Sequence, residues 1–260
     1  MGEAARRWAQ MLGAWAIPEH ILAAAPESPW GFPPALFKHD RAGGSDSPSH
    51  RRAREVLPAN GSVLDVGVGG GAGSIPLHPP AARITGVDEG EHMLAEFAGS
   101  AEDRGIAHQE VLGRWPDVAA SVAPADLVVC HHVFYNAPDI EAFAEQLTNH
   151  ARVRVVAEMT AIHPQTGLNE LWRRFHGLER PAGPSAEDAR EVLREMGLDV
   201  AIERWSRPPH PHDDRRALVA FVRRRLCLPA ERDEEIDAAL GDNPVIGPRD
   251  VATLWWDGAA

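Results

Sequence analysis

The chain has 260 residues and a formal charge of −12, from 38 acidic against 26 basic residues. Such a surface gives no electrostatic pull toward nucleic acid or an anionic membrane, so composition disfavours both as partners. Apolar residues make up 44% of the chain, enough for a core in one large domain or a domain with an extension. The two cysteines, Cys130 and Cys227, form no CxxC pair, so neither a disulfide framework nor a cysteine zinc site is expected.

The first twenty residues, MGEAARRWAQMLGAWAIPEH, hold no long apolar run and read as neither a signal peptide nor a membrane span. The expectation is a cytoplasmic protein. Trp8, Met11, Leu12 and Trp15 suit a short amphipathic helix, and Ile17 to Ala25 a second. Pro29-Trp30-Gly31-Phe32-Pro33-Pro34 forces an extended or turning path, and residues 40–49 read as a polar linker. Residues 1–49 therefore form a helical extension, which either covers a substrate pocket as a lid or packs on the core. His50 to Leu57 reads as a helix leading into the first strand.

The chain is organised around Val63 to Leu77, VLDVGVGGGAGSIPL. A short apolar strand carries Asp65, five glycines follow (Gly67, Gly69, Gly70, Gly71 and Gly73), and Ser74-Ile75-Pro76-Leu77 reads as a helix start. Glycines let the backbone take positive φ and let a ligand approach the main chain. Gly67-x-Gly69-x-x-Ala72 also fits a relaxed dinucleotide fingerprint, which leaves an NAD-binding turn formally open. However, Asp65-x-Gly67-x-Gly69-x-Gly71 resembles motif I of the class I S-adenosylmethionine (SAM) methyltransferases. The resemblance implies that the loop holds the methionine end of SAM and that Asp65 reaches its amino group. SAM carries an ammonium and a sulfonium but no phosphate, so a carboxylate suits it better than it suits a pyrophosphate.

The next helix must be short, because Pro79-Pro80 stops it. Ala82 to Val87 is a strand ending in Asp88, and a carboxylate there suits a ribose diol. Glu91 to Ser100 is a helix, and Ile106 to Leu112 a third strand. By resemblance, Glu89 and Met93 lie on the cofactor, Met93 against the adenine. Arg114 and Trp115 stand where the family often has an acidic residue, so Trp115 either stacks on adenine or caps the core.

Ala125 to Cys130 is a buried strand running into His131-His132-Val133-Phe134-Tyr135-Asn136, followed by a helix over Pro138 to His150 and a strand over Val153 to Met159. Helices follow from Gly167 to Gly177 and, after the cap at Ser185, on to Met196. Asp199 to Trp205 and Arg216 to Val222 read as two strands joined by the turn-rich RPPHPHDDR, an antiparallel hairpin. Strand–helix alternation means βαβ units. The expected fold is α/β: a doubly wound, seven-stranded, mostly parallel sheet with a C-terminal antiparallel hairpin and an N-terminal helical extension. The SAM-binding domain spans 50–228, and 229–260 is a tail docked on it through Leu254-Trp255-Trp256.

Ligands of open α/β sheets sit at the carboxyl ends of the strands. That makes His132, Tyr135 and Glu158 candidate catalytic groups. By resemblance His131 touches SAM, while Tyr135, Asn136, His163, Trp30 and Phe37 line the acceptor pocket. His210-Pro211-His212-Asp213-Asp214 is the densest ligand cluster, but it reads as a solvated turn and no metal is expected. The implied activity is methyl transfer from SAM to a small molecule, with S-adenosylhomocysteine (SAH) as product. The rivals are an NAD(P)-linked oxidoreductase and a SAM-binding module without chemistry. Sequence leaves the acceptor, the methylated atom and the oligomeric state open, a homodimer included.

Overall fold

The computed structural model describes residues 1–30, 47–207, 214–242, 247 and 249–259. Phe37 and most of the histidine-rich turn, His210 to Asp213, lie outside them. Seven strands form one sheet: β1 (Gly61–Val66), β2 (Ala81–Asp88), β3 (Ala107–Leu112), β4 (Ala125–His131), β5 (Ala151–Thr160), β6 (Ala201–Ser206) and β7 (Asp250–Asp257), in the order β3-β2-β1-β4-β5-β7-β6. Strands β1 to β5 pair in parallel, and β7 runs antiparallel to both β5 and β6. The order reverses between β1 and β4, which makes that point the crevice where doubly wound sheets take ligands.

The helices are α1 (Glu3–Gly13), α2 (Glu19–Ala24), α3 (Pro48–Arg54), α4 (Glu91–Glu102), α5 (Ile140–His150), α6 (Asn169–His176), α7 (Ala186–Glu195), α8 (Arg215–Arg225) and α9 (Asp233–Leu240). One sheet face packs Leu64, Val128, Val155 and Leu254 against α1, α5 and α7; the other packs Val63, Leu127 and Val156 against α3 and α4. The indole of Trp8 on α1 is fully buried and donates to the Ala137 carbonyl at 2.9 Å. A third apolar cluster joins Ile17, Ile21, Trp172, Val222 and Ile236, outside the sheet. Ser185 starts α7 with a complete capping box to Asp188, which satisfies backbone N–H groups that the helix leaves open. Among the described residues, no helix is long and apolar enough to cross a membrane.

Three elements differ from the sequence reading. Arg216 to Val222 is not a strand: it lies in α8, capped by Asp214, whose carboxylate accepts from the Ala217 N–H at 2.9 Å. Its Leu218, Val219 and Val222 share one helical face, so tertiary burial overrides the β preference of Val and Phe. The antiparallel partner of β6 is instead β7, drawn from the stretch read as a tail. After the glycine loop the chain makes only one 3₁₀ turn, Ile75–Leu77, in place of a helix, because the prolines at 79 and 80 allow no further backbone donors.

Candidate active site

The glycine loop leaves β1 at the switch point and is fixed by its neighbours. Gly67 and Val68 donate their N–H groups to the Val87 carbonyl at 2.8 and 3.0 Å. Gly67 has φ +74°, and a Cβ there would lie 2.3 Å from Val133 Cγ2, so only glycine fits. Gly69 has φ +51°, but nothing lies within 4 Å of the place its Cβ would take. The loop is therefore closed against Val133, just beyond β4, at Gly67 and open above Gly69.

Asp65 stands under this loop, almost wholly buried. Its Oδ2 and the hydroxyl of Ser74 are both buried without a hydrogen-bond partner. Burial raises the Asp65 carboxyl to about 7; the nearby Ser74 hydroxyl opposes the rise and the charge of Asp88 adds to it. Gly73 keeps the space beside it free, since a Cβ there would meet His131 Nδ1 at 3.1 Å and Asp65 Oδ2 at 3.3 Å. His131 Nε2 is likewise buried and unpartnered, and burial lowers its ring to about 4. Asp88, at the end of β2, accepts from the Gly69 N–H through Oδ2 and from the Gly90 N–H through Oδ1, both at 2.9 Å. Each oxygen keeps a second lone pair for a ligand hydroxyl. A buried carboxylate oxygen lacking a donor, beside a glycine cradle and a second carboxylate one strand away, fits a ligand with an ammonium at one end and a ribose diol at the other. SAM has both.

Beyond the ends of β4 and β5 lies a cavity of about 390 Å³. Residues of the N-terminal extension form one wall, with Leu12, Trp15 and Trp30 among them; Tyr135, Asn136, His163 and Gln165 form the other. The Tyr135 hydroxyl donates to the Thr160 carbonyl at 2.8 Å, and its ring stacks on Trp8 with centroids 5.8 Å apart. His163 stacks on Trp15 at 3.8 Å between centroids. Burial, helped by the positive charge of Arg180, lowers the His163 ring to about 3.

A third group joins the carboxyl ends of β4, β5 and β6. His132 has φ +61°, a left-handed conformation that costs a non-glycine residue free energy. Its Nε2 donates to Glu158 Oε1 at 2.9 Å, and Arg207 donates to the same oxygen at 2.6 Å. Burial alone would raise the Glu158 carboxyl; His131, His132 and Arg207 outweigh it and hold the group well below its ordinary value.

Residues 63–154 match the family model described as a methyltransferase domain. Over 173 residues the chain is 40% identical to the phosphatidylethanolamine N-methyltransferase of Cereibacter sphaeroides, covering 64% of this chain and 77% of that protein. The chain belongs to the class I SAM-dependent methyltransferases. Its fold is also that of the magnesium protoporphyrin IX methyltransferase of Synechocystis with bound SAH, at TM-score 0.56 and 17% identity over 95% of this chain and 93% of that one. The YcgJ protein of Bacillus subtilis aligns with TM-score 0.55 at 15% identity, over 82% of this chain and 98% of that one. As a methyltransferase of this class the protein uses SAM as cofactor.

In this methyltransferase Asp65, Gly67, Gly69, Gly71, Asp88 and His131 gather at the switch point, while Trp30, Tyr135, Asn136 and His163 gather around the cavity. Glu89 and Arg114 face each other at 3.8 Å on the exposed rim, and Met93 lies half-buried on α4. Trp115 is a correction. Its ring is buried in the core, its N–H donates to the Phe143 carbonyl at 3.2 Å, and its edge meets His150, so it caps the interior and offers adenine no face. Sequence reasoning did not single out Ser74, His50 or Arg207. Ser74 carried a local signal, as a hydroxyl closing a glycine loop. His50, whose Nε2 lies 3.2 Å from the Ala72 carbonyl, and Arg207 reach the site only through tertiary folding. Among the described residues, no group of His, Cys, Asp and Glu is arranged to hold a metal ion.

Proposed function

We propose that this methyltransferase acts on a small-molecule acceptor held in the cavity beyond β4 and β5. In this reading Asp65, Gly67, Gly69 and Gly71 hold the methionine end of SAM, and Asp88 holds its ribose. When bound, SAM supplies a methyl group on a sulfonium, which an acceptor lone pair takes by in-line displacement while the C–S pair leaves with SAH. The protein's part is to orient the acceptor and keep water out, since the methyl group is already activated. Tyr135, fixed through its hydroxyl, and His163, fixed by stacking on Trp15, give the acceptor a rigid wall.

The observation that carries the reading is the cavity itself. It lies beyond the carboxyl ends of the strands, at the small end of the usual range for small-molecule sites, and its described lining holds no charged side chain. Nucleic acid would need a basic surface, and the chain is acidic. The relative from Cereibacter sphaeroides favours a second reading, an aminolipid headgroup as acceptor.

The test is transfer of labelled methyl from SAM into separate pools: a low-molecular-weight metabolite fraction, protein, RNA, and vesicles containing phosphatidylethanolamine. Label in the metabolite fraction, abolished by filling the cavity with Asn136→Trp, supports the first reading. Label confined to the vesicles supports the aminolipid. Label confined to protein or RNA overturns both.

A further inference from the structure

Among the described residues lining the cavity of the proposed acceptor site, His163 is a deeply buried polar group whose hydrogen-bonding role is fixed by its neighbours. The backbone N–H of Gln165 donates to His163 Nδ1 at 3.3 Å. A neutral imidazole that accepts at Nδ1 carries its proton on Nε2. Nε2 has no hydrogen-bond partner among the described residues, and the ring lines the cavity. The ring cannot swing away, because one face is covered by Trp15 and its edge meets Tyr135 at 5.1 Å between centroids. His163 is only 5% exposed, whereas the other polar residues of the lining, Asn136 and Gln165, are exposed and half-buried. The Tyr135 hydroxyl is already spent on Thr160. The rest of the described lining, with Leu12, Trp15, Trp30 and Pro138, is apolar or aromatic.

Resting on the cavity as the acceptor site, we propose that His163 is a specificity-determining residue. Its Nε2–H donates a hydrogen bond that selects flat, uncharged aromatic acceptors presenting an oxygen lone pair. Aromatic walls favour a flat ring. A donor that a bound molecule covers but leaves unpaired penalises any acceptor that lacks the oxygen, whereas wet polar groups at the rim discriminate little. His163 is not a general base in this arrangement, because the only ring nitrogen with a lone pair faces the Gln165 N–H.

The experiment uses the isotopically labelled full chain and three probes, followed through the Trp15 and Trp30 indole NMR signals. Coumarin is flat, uncharged and carries a carbonyl oxygen; naphthalene is a flat, uncharged bicycle of the same size with no oxygen; phenyltrimethylammonium tests an amine-like cation. Expected are at least about tenfold tighter binding of coumarin than of naphthalene, loss of that preference in His163→Phe, and a His163 ring signal of the Nε2–H tautomer. Equal binding of coumarin and naphthalene to the unaltered chain overturns the proposal without any variant having to fold. So does a preference that survives in His163→Phe, or tighter binding of the cation than of coumarin. If no probe moves either indole while SAH still binds, the cavity reading itself falls, a result distinct from probes that bind without an oxygen preference.

Discussion

His132 is joined to Glu158 twice: its backbone N–H donates to the Glu158 carbonyl at 2.6 Å, and its ring Nε2 to the carboxylate at 2.9 Å. The pair bridges β4 and β5, where His131 and Glu158 stand in register. Two bonds of this kind explain how a histidine is held at positive φ. Arg207 completes the group from the end of β6.

Glu158→Gln is expected to destabilise the protein by about 2 to 3 kcal/mol near pH 7, because hydrogen bonds to a buried ionised group are lost. Glu158 titrates below its ordinary value of 4.5 in the folded state. Its contribution is therefore fully present above about pH 4.5 and is lost as pH falls further. Urea unfolding of both proteins between pH 3.5 and 7 should show the gap narrowing only at the acid end. A gap independent of pH would mean that the carboxylate's charge contributes nothing.

Asp65 behaves in the opposite sense. Its folded-state value, raised from 3.8 to about 7, means that the folded protein holds the proton more tightly than the unfolded chain. Stability from this group falls as pH rises from about 4 to about 7, and above that the cost is full, roughly 4 kcal/mol. Asp65→Asn removes the charge but still leaves a buried amide in want of partners. Its expected effect in the absence of cofactor is a gain of about 2 kcal/mol at pH 8 and little at pH 4. The same change should remove SAM binding measured by calorimetry. A variant that is more stable and still binds SAM normally would show that the buried carboxylate does not hold the cofactor.

The loop separates structural from ligand-facing glycines. Gly69→Ala meets no atom and pays only for its positive φ, about 1 kcal/mol. Gly67→Ala meets Val133 Cγ2 as well and should cost clearly more. Because the space above Gly69 is open, its alanine variant should fold nearly normally and yet bind SAM at least tenfold more weakly. Thermal melts set beside titrations with SAM and SAH distinguish the two. Normal affinity in Gly69→Ala would mean that the ligand does not approach this part of the loop.

Much of this was legible in the sequence because local chemistry carried it. Asp65, the glycines and Asp88 are specified by spacing along two strands and one turn, and the alternation of strands and helices fixed the parallel half of the sheet. The residues that could not be read act across long chain separations. Arg207 meets Glu158 only because β6 joins the sheet through β7, and Trp115 turns into the core because Phe143 and His150 on α5 receive it. The missed strand did leave a trace. Val251-Ala252-Thr253-Leu254-Trp255-Trp256 is a run rich in β-branched and aromatic residues, whereas the apolar residues of Arg215 to Arg225 form one unbroken run, 217–222, whose pattern does not separate a helix from a strand.

The position of β7 gives the last prediction. A tail docked on a finished domain could be removed with local damage, but β7 lies between β5 and β6 and pairs with both along its length. Trp256 is 2% exposed, and its N–H donates to Thr148 Oγ1 at 2.9 Å on the face packed by α5. Thr253, wholly buried, receives the Trp205 N–H at 3.0 Å and pairs with Ser49 of α3 at 2.7 Å. Without β7, β6 would have no partner and the β5 edge would be open to other chains. Trp256→Ala is therefore expected to cost about 3 to 5 kcal/mol by urea unfolding. Deletion of residues 249–260 should give aggregated or unfolded protein by circular dichroism and gel filtration. A folded, monodisperse truncation that still bound SAM would show that five parallel strands suffice and that the antiparallel pair is dispensable for the cofactor half of the molecule.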